Sequence, residues 1–158
     1  MPDTNAASPY SQAPEPFLTP IRALAECYQA VFRVSDRHIE TLGLTPAQFD
    51  VIATLGDTAG MSCKELGAGT LITKGTLTGV LDRLEERGLI ARTKGERDSR
   101  QVHVSLTPAG ETIFTATFQP HVDYMGQYFA QVPAAKQERL VELLRELAAA
   151  FEPTAVAP

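Results

Sequence analysis

Apolar residues recur every three to four positions near both ends of the chain. The first stripe runs from Ile21 to Leu42, and the last occupies about Pro133–Phe151, where leucines share one face. Such spacing places apolar side chains along one side of an α-helix. The sequence therefore predicts a long helix at each end, each with an apolar face that needs a packing partner.

Three shorter helices are predicted between these stripes. Thr45–Gln48 and Ser62–Glu65 each place a hydroxyl side chain three positions before Gln or Glu, which is the spacing of a capping box at a helix start. A further helix is predicted to open at Thr73 and to end at Arg87–Leu89, because Gly88 suits the left-handed conformation that follows many helices. Helix, short helix and helix therefore follow one another over residues 45–88.

A β-hairpin is predicted next. Residues 89–93 and 101–106 are short strand-like runs, and the second alternates apolar and polar positions as a half-buried strand does. The charged segment Lys94–Arg100 joins them, and Thr107-Pro108 then begins a helix whose apolar positions continue to Phe129. The predicted fold class is mainly α with a small β-hairpin wing, a winged helix-turn-helix between N- and C-terminal helices.

Composition agrees with one ordinary globular domain and excludes several other classes of protein. The chain has 158 residues, of which 44% are hydrophobic, enough to bury a core and too many for wholesale disorder. No apolar run approaches the ~18 residues that cross a bilayer, and the N-terminus lacks the basic and apolar segments of a secretory signal. We therefore expect a cytoplasmic protein with no membrane partner.

Charge is distributed unevenly along this acidic chain. The formal net charge is −5, which by itself argues weakly against nucleic acid as a partner. Residues 62–107, however, hold eight Lys and Arg residues against six acidic ones, whereas the rest of the chain holds six against thirteen. The predicted helix-turn-helix and wing therefore form a relatively basic island, which favours a polyanion as partner.

The start of the helix at Thr73 has the composition of a DNA-reading helix. Its first turns are small or polar, whereas Leu77, Val80 and Leu81 form an apolar side that can pack on the domain. A recognition helix requires this arrangement, because its N-terminus enters the major groove while its other side is buried. An ordinary buried helical hairpin with a solvated polar end is the alternative. The candidate DNA contacts in and before this helix are Ser62, Lys64, Thr73, Lys74, Thr76, Thr78 and Arg83.

The predicted hairpin tip adds cations from a second element. Lys94, Arg97 and Arg100 lie close together, and Asp98 between the arginines can hold one guanidinium in place through a bidentate pair. Arginine in such a finger responds to the narrow, negative minor groove. We therefore interpret Lys94, Arg97, Asp98 and Arg100 as DNA contacts rather than as a solvated tip.

Residues 66–110 resemble the core of the MarR family of winged-helix repressors. The resemblance extends over about residues 18–150. This chain departs from the family pattern at Gly79, where many relatives have a larger, often basic, residue. The expected base contacts therefore shift to the neighbouring residues of the helix and to the wing. The matching features are Asp82–Glu85, Gly88–Ile90, the Arg97–Arg100 wing, Leu106–Gly110 and, upstream, Leu42–Phe49.

The resemblance implies a homodimer on a palindromic operator in double-stranded DNA. In that family the terminal helices of two subunits interlock, and two winged lobes reach half-sites about one helical turn apart. The apolar stripes at both ends of this chain agree with a dimer, because each needs a partner surface. The implied organisation is a flexible tail at 1–16, a dimerisation helix at 17–44, the DNA-binding lobe at 45–110, C-terminal dimerisation helices at 111–151 and a flexible tail at 152–158.

The resemblance also implies release from DNA by a small phenolic or aromatic carboxylate bound between the dimerisation helices and the DNA-binding lobe. Such a ligand favours a lobe spacing that does not fit the operator. An Arg or His side chain facing an apolar pocket can pair with a carboxylate. The candidate ligand-binding residues are Tyr28, Arg33, Arg37, His38, Phe49, Phe118, His121 and Met125.

Three other functions find less support. A thiol-based redox-sensing regulator of the same fold stays an alternative; Cys63 opens a capped helix, whereas Cys27 lies too late in the first helix to match peroxide-sensing relatives. A winged-helix adaptor that does not bind DNA would not need the wing cations. An enzyme would need a phosphate loop, a metal-spaced His cluster or a nucleophile with its base, and none is evident in the sequence. We expect no catalysis, no cofactor and no bound metal.

Overall fold

The computed structural model describes residues 15–94 and 102–152, and in these residues the predicted mainly α winged helix-turn-helix is confirmed. The two terminal stripes form helices within a few residues of the predicted bounds. In chain order the elements are α1 (Leu18–Thr41), α2 (Pro46–Leu55), β1 (Met61–Ser62), α3 (Cys63–Gly69), α4 (Lys74–Glu86), β2 (Ile90–Lys94), β3 (Val102–Leu106), α5 (Pro108–Phe129) and α6 (Ala134–Ala149).

The described chain forms two compact units that divide within α5. The first unit ends at Phe118 and contains α1 to β3 together with the first half of α5. The second begins at Gln119 and contains the rest of α5 and α6. Pro120 lies inside α5, which is helical throughout. No helix among residues 15–94 and 102–152 combines the length and apolar character needed to span a membrane.

The core of the first unit is built mainly from α2 and α4, with further side chains from the other elements. Val51 and Leu55 of α2, Leu66 of α3, Leu84 of α4 and Val104 of β3 are each less than 2% exposed. Full burial of such a side chain contributes roughly 1.5–3 kcal/mol to stability. The core therefore lies where α2, α3, α4 and the sheet converge, and it holds the helix-turn-helix against the wing strands.

The predicted hairpin is present as two strands of a three-stranded antiparallel sheet in the order β1-β3-β2. β2 pairs with β3 along five residues, from Ile90 opposite Leu106 to Lys94 opposite Val102. The third strand, β1, was not predicted, because two residues are too few to show an alternating pattern. β1 places Met61 opposite Val104 and so joins the start of α3 to the wing strands.

Both predicted capping boxes are confirmed. The Thr45 hydroxyl accepts the N–H of Gln48 at 3.3 Å, and the Gln48 side-chain oxygen accepts the N–H of Thr45 at 3.1 Å. Ser62 and Glu65 make the same exchange at the start of α3. Each cap is worth about 1 kcal/mol, and together they define where α2 and α3 begin.

The segment that follows α4 is also held by local bonds. Gly88 has a φ of 69°, and Leu89 donates its N–H to the carbonyl of Leu84 at 2.9 Å. This bond, which spans five positions, is the wider of the two backbone bonds of a Schellman motif. The Thr107 hydroxyl donates to the carbonyl of Gly88 at 2.6 Å. At Gly110 an added Cβ would lie 2.0 Å from the carbonyl oxygen of Leu89, so only glycine fits there. These contacts fasten the start of α5 to the turn between α4 and β2.

Candidate nucleic-acid interface

The start of α4 presents polar side chains on one side and core residues on the other. Thr73, Lys74, Thr76 and Thr78 are exposed, whereas Leu77, Val80 and Leu81 are buried against α2 and α3 or the rest of the core. This separation is the one predicted for a recognition helix, and the alternative of a buried helical hairpin with a solvated polar end would show it too. The four polar residues therefore lie together on a surface that a nucleic acid can reach.

The N-terminus of α4 is open to an anion. Thr73 is the N-cap residue but does not cap with its side chain, because its hydroxyl lies 3.0 Å from the hydroxyl of Thr76 instead. The N–H groups of Thr76 and Leu77 bind the Thr73 carbonyl. Uncapped N–H groups at a helix start carry partial positive charge and attract phosphate. Lys74 adds a full positive charge at the same end.

Other predicted DNA contacts lie on α3, on the strands β1 and β2, and further along α4. Lys64 on α3 and Lys94 at the end of β2 are exposed, and Arg83 is exposed on α4. Ser62 is half-buried and its hydroxyl donates to Glu65 Oε2 at 2.7 Å, so the cap already uses this side chain. Arg97, Asp98 and Arg100 lie outside the described residues.

Arg92 joins the wing to the recognition helix, a role that the sequence did not suggest. Its guanidinium pairs with Asp82 through Nη2, and its Nε lies 3.3 Å from Glu85 Oε2. Asp82 and Glu85 of α4 are therefore the acidic partners of Arg92. The available signal was an arginine within a half-buried strand, since a buried guanidinium requires acidic partners.

A cavity of about 420 Å³ lies between α1, α2 and the α3–α4 turn. Aromatic and aliphatic side chains form most of its wall, including Tyr28 and Phe32, whose ring centres are 4.2 Å apart. Thr73 and Thr76 also line it, so the cavity reaches the candidate DNA-contacting surface. The polar residues of its lining are Ser35, Asp36, Asp50, Thr73 and Thr76, and Tyr28 adds a hydroxyl group.

The structure brings two of the eight predicted ligand-binding residues to this cavity. Tyr28 and Phe49 line it. Arg33 and Arg37 are exposed on α1, His38 is half-buried on the same helix, and none of the three is among the lining residues. Phe118 packs against the core of the first unit, whereas His121, which is buried, and Met125 lie in the second unit.

Asp50 is a polar residue of the cavity that the sequence analysis missed. Its carboxylate accepts the backbone N–H of Leu71 at 2.8 Å and so holds α2 to the turn that precedes α4. Burial raises the pKa of the Asp50 carboxyl, and the hydrogen bond from Leu71 offsets part of that rise. The signal in the sequence was one acid within the apolar run of α2, but its partner 21 positions away could not be read from spacing.

The two thiols lie in different elements of the first unit. Cys27 is exposed on α1, and Cys63 at the start of α3 is half-buried against the core. Neither is in a disulfide. Among the residues that the structure describes, no group of three or more His, Cys, Asp or Glu side chains is arranged to hold a metal ion.

The chain is similar to proteins whose function is known. A sequence model of the MarR family matches residues 42–101, from the end of α1 into the wing. The homoprotocatechuate degradative operon repressor of Escherichia coli is 28% identical over 127 residues, which cover 80% of this chain and 86% of that protein. The transcriptional regulator HosA of Escherichia coli O157:H7 is 32% identical over 104 residues, covering 66% of this chain and 77% of HosA.

A solved structure of a similar protein has the same fold as this chain. BpsR of Bordetella bronchiseptica, whose DNA binding is regulated by 6-hydroxynicotinic acid, is 30% identical with a TM-score of 0.71, and the match covers 89% of this chain and 98% of that one. The wing, the capped α3 and the polar start of α4 are therefore parts of a known DNA-binding architecture. The chain belongs to the MarR family of winged helix-turn-helix transcriptional regulators.

Proposed function

We propose that two copies of the chain form a cytoplasmic repressor that binds a palindromic DNA operator and leaves it when a small aromatic ligand occupies the cavity. The observation that carries the DNA-binding part is the start of α4, where exposed Thr73, Lys74, Thr76 and Thr78 stand opposite a buried apolar side. That arrangement lets the helix N-terminus enter the major groove while the fold holds its other side.

The contacts divide by role. Lys74 and the uncapped N–H groups at the start of α4 bind phosphate, which positions the helix, and the threonine hydroxyls reach base edges. Lys64 and Arg83 meet the backbone on either side. Ser62 contributes as the cap that orients α3. Lys94, Arg97 and Arg100 follow the minor groove from the wing, with Asp98 orienting an arginine.

Dimerisation is supported by apolar surface that the single chain leaves uncovered. On α6 the side chains of Leu140, Leu143, Leu144 and Leu147 are 38–47% exposed. Along α1 and at the residue before it, the exposed apolar side chains are Phe17, Ile21, Leu24 and Tyr28, which are 45–56% exposed. Apolar faces of this kind on soluble proteins mark interfaces. Two-fold symmetry pairs like surfaces and would present two α4 helices to the two halves of a palindrome.

Ligand-induced release is supported by the position of the cavity. Thr73 and Thr76 belong both to the cavity lining and to the candidate DNA contacts. A ligand that favours the arrangement these residues have without DNA lowers the affinity for DNA. By linkage, bound DNA lowers the affinity for the ligand by the same factor. BpsR, whose DNA binding responds to 6-hydroxynicotinic acid, offers a precedent. The participation of Arg33, Arg37, His38, Phe118, His121 and Met125 stays a prediction.

The DNA-binding part is tested by a salt series on a palindromic duplex from the region upstream of the protein's own gene. Each phosphate contact contributes about 0.9 to the slope of log affinity against log salt concentration. In a dimer, Lys74→Ala should therefore reduce the slope by about 2. Arg97→Ala/Arg100→Ala should reduce both the slope and the preference for A·T-rich flanks.

Lys136→Ala is the matched control, because Lys136 is an exposed lysine on α6, an element that contributes no predicted DNA contact. It should leave the slope unchanged. A slope that is equally unaffected by Lys74→Ala would remove α4 from the interface. Wild-type affinity that does not depend on salt would contradict DNA binding through this surface altogether.

A further inference from the structure

The cavity between α1, α2 and the α3–α4 turn is lined by acids and by no bases. Asp36 of α1 and Asp50 of α2 are its charged residues, and no Lys, Arg or His is among the described residues that line it. No hydrogen bond or ion pair joins the carboxylate of Asp36 to another described residue. A carboxylate ligand would therefore meet two like charges in a partly desolvated site, where repulsion is stronger than in water.

The rest of the wall suits an aromatic ring and a neighbouring cation. The ring centres of Tyr28 and Phe32 are 4.2 Å apart, and Phe49, which is only 9% exposed, also lines the cavity. Aromatic faces attract cations as well as other rings. A volume of about 420 Å³ lies at the small end of ligand pockets and fits a compound with a single ring.

We propose that this cavity binds a protonated aromatic amine, whose ammonium group pairs with the carboxylates of Asp36 and Asp50 and whose ring lies against Tyr28, Phe32 and Phe49. The proposal rests on the proposed function and narrows its effector to one charge class. It replaces the aromatic carboxylate that the family resemblance implied, because the arginines and histidine expected to bind a carboxylate do not line the cavity.

The same contacts explain how an amine would weaken DNA binding. Asp50 holds the N–H of Leu71 in the turn before α4, and Thr73 and Thr76 line the cavity at the start of that helix. A ligand that occupies this end competes with DNA for the two threonines and for the position of the turn. Burial raises the pKa of Asp50, and a paired ammonium group favours its charged form again.

The test compares three phenols that differ in the charge of a short side chain: tyramine, which is cationic, 4-ethylphenol, which is neutral, and 4-hydroxyphenylacetate, which is anionic. Calorimetry on the full chain without DNA measures each affinity. Tyramine should bind at least tenfold more tightly than 4-hydroxyphenylacetate, a difference of about 1.4 kcal/mol, and 4-ethylphenol should lie between them. Equal or tighter binding of the anion, or no measurable binding of tyramine, overturns the proposal.

Paired variants locate the charge effect. Asp36→Asn should weaken tyramine binding at least fivefold and improve binding of the anion. Glu40→Gln removes the same charge from an exposed position on α1 outside the cavity, and it should leave both affinities unchanged. If both variants alter tyramine affinity equally, the effect is one of net charge and the assigned site is wrong. Thermal unfolding of each variant confirms that it is folded.

Operator binding is measured separately, so the two proposals can fail independently. A chain that binds its operator but prefers the anionic phenol overturns the amine proposal and leaves the proposed function intact. A chain that binds tyramine in the cavity but binds no duplex contradicts the proposed function instead. Both proposals are supported if tyramine weakens operator binding by the wild-type chain while 4-hydroxyphenylacetate does not, and if tyramine has no such effect on Asp36→Asn.

Discussion

At the scale of single residues, a few polar side chains hold backbone segments that an apolar core cannot orient. Asp50 accepts the N–H of Leu71, and Thr107 donates to the carbonyl of Gly88. Glu65 accepts the N–H of Ser62 at the start of α3. Each bond satisfies a backbone group next to a helix terminus and thereby sets the position of that helix end.

Asp50 and Glu65 should affect stability with opposite pH dependence. Burial raises the pKa of Asp50 in the folded state, so its contribution to stability is present at acidic pH and is lost as pH rises through the folded-state pKa. Asp50→Asn keeps an acceptor for Leu71 without the charge. Its free energy of unfolding should therefore exceed that of wild type at neutral pH, and the difference should shrink as pH falls. Urea denaturation at two pH values measures this.

Glu65→Gln is the control of opposite sign. Hydrogen bonds from Ser62 lower the pKa of Glu65, so its contribution is present at neutral pH and is lost as pH falls through the folded-state pKa. Glu65→Gln should be less stable than wild type at neutral pH and should approach it in acid. If both variants change stability in the same direction at neutral pH, one of the two carboxyls does not behave as its hydrogen bonds and burial indicate.

At the scale of elements, α4 has one side whose residues are fixed by burial in the core and an exposed side whose residues the core does not constrain. Arg92 ties β2 to α4 through Asp82 and Glu85, and the Schellman bond at Leu89 ends the helix where the wing begins. The recognition helix and the wing are therefore connected by charge and by backbone bonds as well as by the core. A movement of one would be passed to the other.

Gly79 offers a test of the exposed side of α4. A Cβ at this position would meet nothing within 4 Å, and glycine inside a helix costs about 0.5–1 kcal/mol relative to alanine. Gly79→Ala should raise the free energy of unfolding by about that amount in chemical denaturation. A simultaneous loss of operator affinity would show that the DNA approaches the helix backbone at Gly79.

Gly110→Ala is the contrasting substitution. Its Cβ would lie 2.0 Å from the carbonyl oxygen of Leu89, so the start of α5 would have to move. It should destabilise the chain by more than 1 kcal/mol, as overpacking commonly does. Equal effects of the two glycine substitutions would contradict the close approach of α5 to the α4–β2 turn.

At the scale of the whole molecule, the uncovered apolar faces of α1 and α6 dominate. The described residues of α6 contain no buried side chain. A helix whose leucines are all substantially exposed gains little from packing within its own chain, and helices of this length are marginal in isolation. We therefore expect the stability of the second unit to depend on protein concentration, as it does in obligate dimers.

Leu144→Glu should convert the proposed dimer to monomers. Leu144 is 40% exposed in the single chain, and two-fold symmetry counts each substitution twice. A charge in the centre of an apolar interface should weaken association by at least about 30-fold, equivalent to roughly 2 kcal/mol. Sedimentation velocity measures the association constant. Arg145→Glu introduces the same side chain one position away, off the leucine face, and should leave the dimer intact; a wild-type monomer would exclude this role for α6.

How much of this protein can be read from its sequence depends on the separation of the interacting residues. The capping boxes at Thr45 and Ser62, the glycine end of α4 and the apolar stripes involve neighbours within four or five positions, so their spacing determines the helices and the family resemblance. The strand β1, the Asp50–Leu71 bond and the Arg92 ion pairs join residues 7 to 43 positions apart. Only the folded chain decides them, because long-range contacts depend on how the elements pack and not on local periodicity. The acidic lining of the cavity belongs to this second group: each aspartate is visible in the sequence, but only tertiary structure brings both to the same cavity and leaves the predicted arginines outside it.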